Sequence, residues 1–153
     1  MDADHLEKPV LSAPTASIIA AAKELSLFVL CVRLVSSPFS SSDDVTYQTA
    51  KRLHLETIST GILSVSVLQA GILLALYKVG HAIYPAAFLL IGACAQYGLA
   101  IDVDKAISQS EVSHLPWNEV EERRRIWWAV LVLDRSVGSR QHCTVVPTQG
   151  LKW

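Results

Sequence analysis

The chain is 153 residues long, which predicts one domain. Hydrophobic residues make up 51% and charged residues 18%, and the mean hydropathy is +0.35, so the chain leans apolar and a membrane reading has to be tested. Thirteen Lys and Arg stand against 14 Asp and Glu, a net charge of −1. That balance excludes a global basic field able to hold DNA or an anionic membrane surface.

Three cysteines, Cys31, Cys94 and Cys143, are far apart and odd in number, with no CxxC pair. Neither a zinc module nor a disulfide framework is supported, and Cys31 and Cys94 read as small core residues. Residues 1–14 are polar, carry two prolines and predict an irregular N-terminus. Acidic Asp2, Asp4 and Glu7 stand where a signal peptide would be positive.

Residues 15–35 predict a first helix. Its expected apolar stripe is Ile18, Ala21, Ala22, Leu25, Phe28, Val29 and Val32, at 3–4 spacing. Residues 36–44 are a loop by composition, with Asp43 or Asp44 available as a cap. A second helix follows over 45–59, with Tyr47, Ala50, Leu53, Leu55 and Ile58 inward and Lys51, Arg52 and Glu56 outward. Third and fourth helices are predicted over 62–79 and 83–101. Gly80 and His81 turn the chain between them, and Pro85 is tolerated in a first turn. Residues 102–117 read as a polar connection with room for a short helical turn.

The fifth helix, 118–135, is predicted to be the centre of the fold. Asn118 with Glu121 three residues on suggests a capping box, and Glu119, Glu121 and Glu122 suit the positive end of the helix dipole. Eight apolar residues from Ile126 to Leu133, with Trp127 and Trp128 among them, leave no polar face for two turns. Residues 136–153 lack a helical period and predict an irregular tail. Together these elements predict an all-α bundle of about five helices, 15–135.

The third and fourth apolar runs are each long enough to cross a bilayer, so a two-span membrane protein is the alternative reading. Against it, Ser64, Ser66 and Gln69 interrupt the third run, small residues fill the fourth, and no flanking excess of Lys or Arg sets a topology. Five scattered histidines form no HxxxH or HExxH pair, and GxGxxG, GxxxxGK[ST] and GxSxG are absent. No catalytic, cofactor-binding or metal-ligating residue is expected. An enzyme is supported by nothing in the sequence.

The segment SVLQAGILLALYKVGHAIYP followed by LPWNEVEERRRIWWAVLVLDR resembles the middle regulatory region, the fungal-specific transcription factor domain, of fungal zinc-cluster transcription factors. The residues that carry the resemblance are Gln69, His81, Tyr84, Pro85, Arg124, Arg125, Trp127, Trp128, Asp134 and Arg135. The resemblance implies an all-α module of a nuclear transcriptional regulator with no chemistry of its own. Its implied partners are proteins, a second copy included. DNA would be reached only through a six-cysteine zinc cluster that this sequence does not contain, and a membrane is not expected. A Gly-Arg-Pro element usual after LDR is matched poorly by Gly138 and Arg140. With no further helices after it, the chain is expected to be an incomplete domain.

Overall fold

The computed structural model describes residues 13–37, 45–107 and 115–138. The expectations for residues 1–12, 38–44, 108–114 and 139–153, Cys143 and most of the tail among them, lie outside the described residues. Five α-helices are described: α1 (Ala13–Ser36), α2 (Val45–Ser59), α3 (Val65–Gly80), α4 (Tyr84–Ala100) and α5 (Trp117–Gly138), with a 3-10 turn at Asp104–Ile107. No strand occurs among the described residues, and the fold is all-α.

The helix ends follow local chemistry. Gly61, at φ +74°, closes α2 as its N–H bonds the Ile58 carbonyl at 3.0 Å. The third helix starts at 65 rather than 62, because Ser64 caps it: the Ser64 backbone is extended and its hydroxyl accepts from Val67 N–H at 3.3 Å. Both α3 and α4 end in Schellman turns. Ile83 N–H reaches the Lys78 carbonyl at 2.9 Å, and Val103 N–H reaches that of Gly98 at 3.0 Å. The left-handed residues in these turns are Ala82 and Asp102, not Gly80. The fifth helix begins before Asn118, since the Pro116 carbonyl accepts from both Glu119 and Val120 N–H. Asn118 therefore lies inside the first turn and is not the cap.

The centre of the fold is α3, not α5. Leu68, Ile72 and Ala75 enter a cluster with Ile91 and Ala95 of α4 and Trp127 and Val130 of α5. Ala70, Leu74 and Tyr77 enter a second cluster with Leu27, Cys31 and Leu34 of α1 and Tyr47 and Ala50 of α2. The two stripes lie on opposite sides of one helix, so α3 is apolar all round because protein covers it on both sides. At 16 and 17 residues, α3 and α4 are only ~24–26 Å long, short of the ~30 Å hydrocarbon core of a bilayer. Among the described residues no helix is long and apolar enough to cross a membrane. The two-span alternative therefore loses its elements.

Two expected faces change. In α1 the buried residues are Leu27, Cys31 and Leu34, while Ile18, Leu25, Val29 and Val32 stand exposed. Both sets keep 3–4 spacing, so periodicity alone could not tell which one meets the core. In α2 His54 and Thr57 are buried and Leu55 is exposed. Gly71 makes room for this exchange, since a Cβ there would lie 2.9 Å from both His54 Nε2 and Cys94 Sγ.

Candidate functional site

The residues singled out in the sequence fall at three places around α3. The first is the end where α3 meets the start of α5. Gln69 donates from Nε2 to Glu122 Oε1 at 2.7 Å and ties the two helices together. One turn into α5, Glu121 accepts from Arg125 Nε at 2.8 Å and from Arg124 Nε at 2.9 Å. The bonds from Arg125 and then Arg124 hold the Glu121 carboxyl below the usual range. Gln69, Glu121, Glu122 and Arg125, with Trp117, Asn118 and Ile126, line an open groove. Glu121 thus makes an i,i+4 pair with Arg125 and also gathers Arg124, three residues on.

The second place is the other end of α3. His81 Nδ1 lies 2.9 Å from the Tyr77 carbonyl oxygen. Its ring stacks on Tyr77 at 3.8 Å between centroids, and Tyr77 stacks on Tyr47 at 5.1 Å. Tyr84 and Pro85 open α4 immediately after this turn, with the proline in the first turn where its missing N–H costs no helix bond.

The third place is the body of α5. Trp127 is 5% exposed and lies on α4 at Gly98, where an added Cβ would come within 3.0 Å of its ring. Trp128, about 100° further round the helix, is 39% exposed. Asp134 is 1% exposed and engaged in the interior, whereas Arg135 beside it is exposed. The structure therefore does not gather the ten residues into one pocket. They join α3 to α5 at one end, turn α3 into α4 at the other, and seat α5 on α4.

Sequence reasoning missed a polar group inside the bundle. His54 is 6% exposed, and burial first, then the nearby charge of Lys78, pushes its pKa down to about 4. Lys78 is itself buried and donates from Nζ to the Ala86 carbonyl at 3.4 Å. Burial, followed by the charge of Lys51, lowers its pKa. Burial pushes the Cys94 thiol up to about 12 and the Cys31 thiol up to about 11, so both are poor nucleophiles. The readable signal was a lysine inside the apolar run of α3, seven residues after a glycine. Among the described residues no group of three or more His, Cys, Asp or Glu is gathered to hold a metal. Tyr97 fastens the loop before α3: its hydroxyl donates to the Ile62 carbonyl and accepts from Ser64 N–H, both at 2.8 Å. Burial raises the Tyr97 phenol pKa, the Ser64 bond lowers it, and the charge of Glu24 adds to the rise.

The fold and these sites define an all-α bundle whose motif residues join helices to one another. The chain belongs to the family of the fungal specific transcription factor domain, whose model matches residues 13–140. It is 37% identical over 106 residues to transcription factor BOA15 of Botryotinia fuckeliana (strain B05.10), covering 67% of this chain and 59% of that protein. It is 31% identical over 116 residues to the pigment biosynthesis transcriptional activator pigB of Monascus ruber, covering 69% of this chain and 21% of that protein. The chain thus spans 59% of one relative and 21% of the other. No solved structure matches it.

Proposed function

We propose that the chain is the helical regulatory part of a fungal transcriptional regulator and works in the nucleus through protein contacts. The observation that carries this reading is the family match over 13–140, which takes in all five helices. DNA contact would come from a zinc-cluster module outside this sequence. A net charge of −1 supports that division of labour, because non-specific DNA affinity needs clustered Lys and Arg. The run Arg123 to Arg125 does not supply such a cluster, since Glu121 takes up two of its members. No cofactor belongs to the proposed role.

The test places the chain between a heterologous DNA-binding domain and a constitutive activation domain in a fungal reporter strain. Output should differ from that of a flexible spacer of equal length. The Trp127→Ala variant, which breaks the α4–α5 packing, should return output to the spacer level. Equal output from chain and spacer, at equal protein level in the nucleus, overturns the reading.

A further inference from the structure

The outer face of α5 carries arginines at both ends of an exposed apolar centre. Trp128 and Val132 stand one turn apart, 39% and 59% exposed. Arg124 and Arg125 lie one turn before Trp128, and Arg135 lies one turn after Val132. At about 100° per residue, all of these side chains fall within about 60° of Trp128 and so share one face. It is the face opposite Ile126, Val130 and Leu133, which enter the core.

The charge on this face is one-sided. Glu121 begins the face, and its carboxylate is shared by Arg124 and Arg125. Arg135 is exposed and makes no ion pair among the described residues. The other carboxylates of α5 lie elsewhere: Glu122 and Asp134 are each about 120° round the helix from Trp128, and Glu119 is about 180° round. Glu122 is bonded by Gln69, and Asp134 is buried. The helices packed on α5 add no carboxylate, since α4 has no charged residue and α3 has only Lys78. Beside the 3-10 turn, Lys105 holds Asp102 at 2.9 Å, and Asp104 pairs with no arginine. Three arginines against one glutamate leave the face at +2, on a chain of net −1.

This arrangement disfavours a second copy as the occupant. Antiparallel pairing that seats Trp128 on the other copy's Val132 sets Arg125 against the other copy's Arg135. Parallel pairing sets like residues level with each other. We propose that the outer face of α5 docks an acidic amphipathic segment of a partner protein. Its apolar residues would cover Trp128 and Val132. Its carboxylates would meet Arg135 at one end and the Arg124–Arg125 pair at the other, ~15 Å away. Trp and Arg are the residue types that carry most binding energy at protein interfaces, and the two charged ends select the partner. Such a partner is one kind of protein contact for the regulatory module proposed above; a failed titration removes the partner and leaves the reporter result standing.

The probe is a fluorescent helical peptide of about 20 residues with leucines at alternating three- and four-residue spacing and glutamates flanking them. A matched peptide carries lysines in place of the glutamates. Anisotropy titrations on the full chain should show tighter binding of the acidic peptide, weakening as salt is raised. Arg135→Glu should lower acidic-peptide affinity about tenfold, and Arg135→Lys should largely keep it. Val132→Ser should weaken both peptides, and with Trp128→Ser should abolish binding. Circular dichroism checks that the variants keep their helix content. Equal affinity for the two peptides, binding of neither, or binding unmoved by Arg135→Glu overturns the proposal. So does tighter binding of a DNA oligonucleotide that Arg135→Glu weakens, in favour of nucleic acid, or a sedimenting dimer that Val132→Ser dissolves, in favour of a second copy.

Discussion

At the scale of single residues, the interior depends on exchanges between unlike neighbours. Gly71 gives up a side chain, and His54 and Cys94 close on α3 from α2 and α4. The cost is a histidine that must stay neutral. Its pKa falls from 6.5 to about 4 on burial beside Lys78, so between those values the unfolded chain binds a proton that the folded chain refuses. Stability is therefore full above pH 6.5 and is lost as pH falls towards 4, by up to about 3 kcal/mol. Urea unfolding at stepped pH should show this slope, and His54→Gln should flatten it. An unchanged slope in that variant would place the titrating group elsewhere. From sequence, His54 was one of five scattered histidines. Nothing local to it announced the glycine on a different helix that makes its seat.

At the scale of elements, the contrast between adjacent tryptophans is the clearest measure of how α5 sits. Trp127→Ala removes a ring packed on Gly98 and Leu68 and should cost ~3–5 kcal/mol. Trp128→Ala, at a partly open position, should cost about 1 kcal/mol or less. Chemical denaturation of the two variants checks this, and similar midpoints would mean that α5 is buried on both sides. The apolar run from Ile126 to Leu133 did suggest such burial. Yet Val132 is exposed with Trp128, because α5 lies at one side of the bundle, packed on α4, α3 and the turn at 104–107. The same ambiguity affected α1, where two apolar stripes share one helix and only one has a neighbour within the described residues.

At the scale of the molecule, one helix joins two clusters. Leu74 belongs to the cluster of α1, α2 and α3, whereas Trp127 belongs to that of α3, α4 and α5. Leu74→Ala should cost ~2–5 kcal/mol, a large share of the ~5–15 kcal/mol typical of a domain. If α3 couples the clusters, tryptophan fluorescence and far-ultraviolet circular dichroism should still report one shared transition, moved to lower denaturant. Separation of the two curves would show that the clusters unfold independently.

The helices and their order were legible in the sequence, because caps, breakers and 3–4 spacing act within a turn or two of chain. The second helix matches its predicted bounds, 45–59, and the others shift by one to three residues; Ser64 and a left-handed Ala82 set the ends of α3, and Pro116 sets the start of α5. The family was legible too, from the linked segments around Gln69, His81 and Trp127. Tertiary structure alone decided which apolar stripe of α1 is covered, that α3 rather than α5 is the centre, and that Gln69 meets Glu122 across 53 positions of chain. Burial is a relation between helices. Where a helix is apolar on more than one side, its own periodicity holds no information about which neighbour arrives.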